Sequence, residues 1–343
     1  MNPVPCPVPT PAQPSAADLS LAPAIWVLTD GKAGDEVQCV GVAERIGVRP
    51  DVRRVNPGKP WVWLMPRGPI DPREGPEREN SPIRPPFPDI LIASGRRAAA
   101  YVRAVKQASN GRCFTVFLKD ARVGTKAADL IWVPQHDRLR GANVLVTLSS
   151  PHRVTPQKLA AARTDPPPAL AALPGPRVAV LAGGDSRHHT FRPQDIARFV
   201  GLLDQLATSG ASLMGSRSRR TPPALDAALA EVFARHKGWW WDGTGQNPYL
   251  ALLAHADAIV ATADSVNMIG EAVTTGSPVL VFEPHGGHGK IGKFLEGLKA
   301  HGAVHHFEGH LAGAPYAPLD ATDEIAAAVR AGWLAHRQKL GLT

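Results

Sequence analysis

A chain of 343 residues, 44% of them hydrophobic, is long enough for two domains, each with its own core. No apolar run approaches the ~20 residues of a membrane-spanning helix, and Cys6, Cys39 and Cys113 show no metal-ligand spacing. The net charge of +8 suits a phosphate-bearing ligand or an anionic surface, but without nucleic-acid motifs or interleaved aromatics it argues against nucleic acid.

Residues 1–22 are rich in Pro, Ala and Ser and lack the basic and apolar segments of a signal peptide, so a disordered leader is expected. Scattered cysteines, odd in number, point to a reducing compartment. A cytoplasmic location is expected, with peripheral attachment at the inner face of the membrane as an alternative.

From Ile25 the pattern alternates strand and helix. Ile25–Thr29 reads as a strand, Asp30–Glu36 as a Gly-containing turn, and the helix it opens runs to about Ile46. A strand follows at Val52–Asn56, then a Pro- and Gly-rich excursion from Pro57 to Pro88. Ile90–Ala93, Cys113–Leu118, Leu130–Val133 and Val144–Thr147 read as further strands, with a helix over Arg96–Ala108. The proline density of Thr164–Pro176 predicts a linker between domains. Beyond it the rhythm restarts: strand Arg177–Leu181, turn Ala182–Ser186, helix Pro193–Thr208, strand Ser212–Gly215, helix Pro222–His236, short strand Trp239–Asp242 and helix Asn247–Ala254. A strand at Ala258–Ala263, a helix capped by Asp264 or Ser265 and stopped at Gly276, and a strand at Pro278–Phe282 form one further unit. Helices over Ile291–His301 and Thr322–Lys339 complete the pattern. Strands alternating with helices imply parallel sheets. The expected fold is α/β, GT-B-like: two doubly wound Rossmann-like domains, 23–163 and 177–321, with an interdomain cleft and a C-terminal helix, 322–343, packing back on the first domain.

The chemistry is expected at the carboxyl ends of the strands, where ligands sit in open parallel sheets. Gly183 and Gly184 permit a sharp turn and close approach of a phosphate; a turn needing positive φ is the structural alternative. Arg219, in the Ser216–Arg220 loop, is placed to pair with a diphosphate. On the helix after Asp264, the side chains of Asp264, Asn267, Glu271 and Thr274 share one polar face. Its N-terminus with Ser265 suits phosphate, and Glu271 suits ribose hydroxyls. In the first domain Asp30 or Asp35 is placed to act as a general base, with N-capping as the alternative. His152 is a third catalytic candidate. The histidine clusters lack the HExxH motif or an i,i+4 pair, so no metal site is expected. Trp61, Trp63, Leu64 and Met65 either fold back onto the first domain or meet a membrane interface beside Lys59 and Arg67.

Several segments, WVLTDGKAGDEVQ, ILIASGRRAAA, VAVLAGGDSRHH and WDGTGQNPYLALLAHADAIVATADSVNMIGEA among them, resemble the elongated-mitochondria (mitochondrial fission) family and its bacterial relatives, over nearly the whole chain from Ile25. Plant members sit at the outer mitochondrial surface and help recruit a dynamin-related fission protein. More distantly the chain is similar to GT-B glycosyltransferases. That resemblance implies a nucleotide-diphosphate sugar held by Gly183, Gly184 and Ser186 and by Ser265, Glu271, Gly276 and Pro278. TADSVNMIGEA is also similar to a segment of UDP-sugar 2-epimerases, with Val266-Asn267 where those enzymes carry Gly-Gly. The expected function is transfer of a sugar from a nucleotide-diphosphate sugar, with no further cofactor, to a lipid-linked or membrane-surface acceptor on the first domain. The alternatives are epimerisation of such a sugar, or a catalytically silent adaptor that recruits a membrane-remodelling protein partner.

Overall fold

The computed structural model describes residues 22–186, 188–287 and 289–342; the expected leader, apart from its last residue, lies outside them. The chain divides into two compact units. Unit 1 takes the described residues up to Val133, Leu139–Leu145 and those from Asp323 on; unit 2 takes Pro134–Arg138 and Val146–Thr322.

Unit 1 is built on β1 (Ile25–Thr29), β2 (Asp51–Arg54), β3 (Ile90–Ser94), β4 (Phe114–Leu118), β5 (Leu130–Pro134) and β6 (Val144–Thr147), although Pro134 of β5 and Val146 and Thr147 of β6 belong to unit 2. The strand order is β2-β1-β3-β4-β5-β6, with parallel pairing from β2 through β5. Every residue of β1, β3 and β4 is buried, as expected for parallel strands covered on both faces. Helix α1 (Ala33–Ile46) follows β1 and ends at Gly47 in the left-handed region (φ 97°), a stop only glycine adopts without strain. Between β2 and β3, a short helix α2 (Trp61–Leu64) lies in an excursion pinned by buried Met65, Asp71 and Ile83. Helix α3 (Ala98–Ala108) follows β3.

Unit 2 opens with two helices, α4 (Pro156–Thr164) and α5 (Pro168–Ala171). Its main sheet contains β7 (Arg177–Ala182), β9 (Ser212–Arg217), β10 (Trp239–Trp241), β11 (Ala258–Thr262), β12 (Val279–Phe282) and β14 (Val304–His306). These run in the order β10-β9-β7-β11-β12-β14, all parallel. Numbered within the unit, that is the 3-2-1-4-5-6 order of dinucleotide-binding sheets, whose switch point lies between the first and fourth strands, here β7 and β11. Alternate residues serve opposite faces. Ala179, Leu181, Ile259 and Val281 join one core with Leu159, Leu252, Ile269 and Leu298. Val178, Val180, Val260 and Leu280 join the other with Phe199, Leu203, Leu225 and Leu229. The covering helices are α6 (Pro193–Thr208), α7 (Pro223–Arg235), α8 (Tyr249–His255), α9 (Val266–Ala272) and α10 (Gly289–His301). A two-residue pair, β8 (His189–Thr190) with β13 (His285–Gly286), is antiparallel.

One expectation is corrected. Thr164–Pro176, read as an interdomain linker, lies inside unit 2: its Leu170 and Leu173, with Leu159 of α4, join the first of those cores. Buried leucines, not the surrounding prolines, decide where the segment goes. The chain changes unit instead around residues 134–146 and again at Asp323, within the helix α11 (Ala321–Lys339). No helix among the described residues is long and apolar enough to cross a membrane.

Candidate functional site

The carboxyl ends of β7 and β11 meet where the unit 2 sheet reverses order, and the loops there are bound to each other. The Gly183 amide donates to Thr262 Oγ1 (2.8 Å), whose hydroxyl donates to Asp264 Oδ1 (2.6 Å). The Gly184 amide and the Arg220 guanidinium both donate to Asp264 Oδ2, at 3.1 and 2.7 Å. Thr221 closes the loop by donating to the Gly183 carbonyl (2.5 Å). The Asp264 side chain is wholly buried. Neither glycine has a positive φ. A Cβ on Gly183 would collide with the Asp264 carboxylate, and one on Gly184 with the Arg220 carbonyl. The glycines are therefore required by close packing, and a protein carboxylate stands where the sequence suggested a phosphate.

The polar face expected on the helix after Asp264 turns inward. Asp264 and Thr274 are buried and Glu271 half-buried; Asn267 is exposed. Each inward group has a partner. Thr274 pairs with His152 Nε2 (2.7 Å), and Glu271 accepts a hydrogen bond from the Tyr249 hydroxyl (2.6 Å). Burial raises the Glu271 carboxyl above its usual value, against the lowering effect of the Tyr249 bond, and raises the Tyr249 hydroxyl well above its own. α9 is a seven-residue helix, shorter than expected: Val273–Thr275 form a 3₁₀ turn before Gly276 at φ 80°. Ser265 is its N-cap, accepting the Met268 amide at 3.4 Å. Ser186 accepts the amides of His188 and His189 (3.2 and 3.1 Å), which closes the turn into β8.

His152, a catalytic candidate in the sequence, is 3% exposed and belongs to unit 2. Its Nδ1 lies 3.1 Å from the Val154 carbonyl, which can only accept, so Nδ1 carries a proton, and Nε2 faces the Thr274 hydroxyl. The backbone amide of His152 donates to Thr322 Oγ1 (2.9 Å). This ring fixes a loop to a helix and is withdrawn from solvent.

Beside the switch point, a cavity of about 560 Å³ opens over the ends of β7, β9 and β10, within the size range of small-molecule sites. Ser216, Ser218, Arg219, Trp241, Asn247 and Tyr249 line it. Arg217 is paired with Asp226 (2.7 Å), whereas Arg219 is exposed. Tyr249 connects the cavity to Glu271. The structure thus brings together Arg219 and, through Tyr249, Glu271. Trp241 and Tyr249 were not anticipated as site residues; the position of Trp241 at the end of a recognisable strand was the available signal.

In unit 1, Asp30 and Asp35 follow β1, at the corresponding β1/β3 reversal. Asp35 in the first turn of α1 pairs with Lys119 (2.5 Å) and Asp30 with Lys32 (3.1 Å). Neither caps α1, whose N-cap is Lys32. The Asp30 side chain is 4% exposed. A pocket of about 170 Å³ lies here, lined by Lys32, Asp35, Arg96, Lys119, Asp120 and Arg122 among others. The excursion splits between its two readings: Met65 is buried, while Trp63 and Leu64 are 67% and 49% exposed.

Two Rossmann-like units with parallel sheets define the GT-B fold class. A putative UDP-N-acetylglucosamine 2-epimerase from Listeria monocytogenes shares the fold, with a TM-score of 0.50 at 13% identity over 94% of this chain and 98% of that one. The chain belongs to the mitochondrial fission ELM1 family, whose sequence profile matches residues 33–333. Over 272 residues it is 29% identical to the mitochondrial fission protein ELM1 of Arabidopsis thaliana, covering 71% of this chain and 63% of that protein. It is 31% identical over 114 residues to an uncharacterized protein of Rickettsia prowazekii, 31% of each chain. The chain thus spans less than two thirds of the length of either relative.

Proposed function

We propose that unit 2 binds a nucleotide-diphosphate sugar and that the protein transfers the sugar to an acceptor on unit 1. One observation carries this reading: Arg219, with no carboxylate partner among the described residues, lines a cavity that also presents Trp241 and Tyr249 at the strand ends. A cation and aromatic rings are what a diphosphate joined to a nucleoside requires. The name of the Listeria relative, a UDP-sugar epimerase, supports the choice of ligand. Glu271 acts through Tyr249, holding the phenol in place, rather than by receiving ribose from solvent. The transfer class is preferred over epimerisation by the resemblance to glycosyltransferases.

A second reading, the silent adaptor, is favoured by the filled nest at Gly183 and Gly184. Titration calorimetry with UDP, GDP and their sugars separates the two. Micromolar to low-millimolar binding that Arg219→Ala weakens about tenfold supports the enzyme reading. No binding at millimolar concentration leaves the adaptor.

A further inference from the structure

We propose that unit 1 carries a second ligand site, the pocket beside Asp30, which takes a phosphate group borne on a hydroxylated carbon skeleton. Four cations line the pocket: Lys32, Arg96, Lys119 and Arg122. Lys119 is matched by Asp35 and Lys32 by Asp30. Arg96 and Arg122 have no carboxylate partner among the described residues. Arg96 uses Nε on the Met65 carbonyl (2.9 Å), which leaves its terminal nitrogens for another acceptor. The Arg122 amide donates to Asp120 (2.7 Å), and its carbonyl accepts from Arg67 (3.2 Å). Its backbone is thereby fixed and its side chain exposed. Lys119 and Arg122 both sit at positive φ, 79° and 59°, a region that side-chain-bearing residues occupy rarely and that marks binding loops. Two guanidinium groups without a carboxylate partner, on a small pocket at strand ends, are an arrangement for phosphate.

A second observation is independent of charge. Asp30 Oδ1 is buried with no hydrogen-bond partner, although a buried acceptor normally has one. It adjoins the pocket at Gly95, where a Cβ would stand 2.8 Å from this oxygen. Glycine there lets the Asp30 carboxylate pack directly behind the pocket wall, and a ligand hydroxyl reaching it would supply the missing donor. A phosphate alone would leave Asp30 unsatisfied, so the ligand carries both groups. Two sources have this chemistry: a free polyol phosphate, and the head group of phosphatidylglycerol. The exposed Trp63 and Leu64 are tied to the pocket by the Arg96–Met65 and Arg67–Arg122 bonds, placing an apolar edge within reach of a lipid's chains. The site's role as the acceptor side rests on the transferase reading; the binding itself does not.

The test uses the whole protein with two probes: glycerol 3-phosphate by calorimetry, and flotation with phosphatidylglycerol or phosphatidylcholine vesicles. Binding of glycerol 3-phosphate that Arg122→Ala weakens at least tenfold and Trp63→Ala leaves alone supports a free ligand. Binding confined to phosphatidylglycerol vesicles, lost in both variants, supports the head group. Asp30→Asn, of equal size, should weaken whichever probe binds. Absence of binding to either probe, or binding indifferent to Arg122→Ala, overturns the proposal. UDP binding should be unchanged by Arg122→Ala and reduced by Arg219→Ala, so failure in one unit is read separately from failure in the other.

Discussion

The Tyr249 hydroxyl donates to the Glu271 carboxylate across 2.6 Å, joining a residue of the candidate cavity to one on the helix behind it. The bond explains how a carboxylate on a face read as polar is held half-buried. It also gives the pair a definite pH signature.

Burial raises the Glu271 carboxyl in the folded state. An acid whose folded value exceeds its unfolded value favours folding when protonated, and that contribution is lost as pH rises through the folded value. Glu271→Gln keeps an acceptor for Tyr249 and removes the buried charge. The variant should therefore gain stability relative to the parent as pH rises from 4.5 towards neutrality. Thermal melts at a series of pH values check this; a constant difference at all pH values would refute it.

Gly184→Ala should destabilise unit 2 by about 3 kcal/mol, the upper range for overpacking, since the added methyl meets the Arg220 backbone. Gly201→Ala provides the contrast. Gly201 lies inside α6 with open space at its Cβ position, so alanine there should stabilise by roughly 0.5–1 kcal/mol. Urea titrations of both variants measure the opposite signs.

Leu170→Ala should cost about 3 kcal/mol, as for other core leucines, because Leu170 is fully buried. A residue in a free linker would change stability by no more than about 0.5 kcal/mol. Denaturant unfolding decides which description applies.

Thr274→Val preserves shape but removes the hydrogen-bond partner of His152 Nε2. The loss should be about 1–3 kcal/mol, the range for a buried group left unsatisfied, with nucleotide binding unchanged in the folded variant. A calorimetric titration beside a melt distinguishes this structural part from a catalytic one.

Strands β1, β3, β4, β7, β11 and β12 were legible as apolar runs because burial on both faces leaves no room for polar residues. The β8–β13 pair was not, since two residues carry no period and their partners lie almost a hundred positions apart. The site was legible by location, at the strand ends, but not by partnership. Gly183 and Gly184 were identifiable as a tight loop; that Asp264, 80 residues away, would fill it depended on the folded sheet. The polar spacing of Asp264, Glu271 and Thr274 was likewise visible, yet spacing says which residues share a side, not what covers it. His152 was misplaced because the change of unit precedes it, at a point without proline or glycine clustering.

The divided composition of unit 1 has a consequence for biosynthesis. Trp333 is 1% exposed, and His336 Nε2 lies 2.9 Å from the Gly111 carbonyl, so α11 completes a core whose strands are translated far earlier. Ribosomes add about 5–20 residues per second, so unit 1 waits, partly uncovered, while all of unit 2 is made. A nascent chain arrested before Trp333 should expose the seam that α11 later closes, making that interval the period of greatest demand for a chaperone.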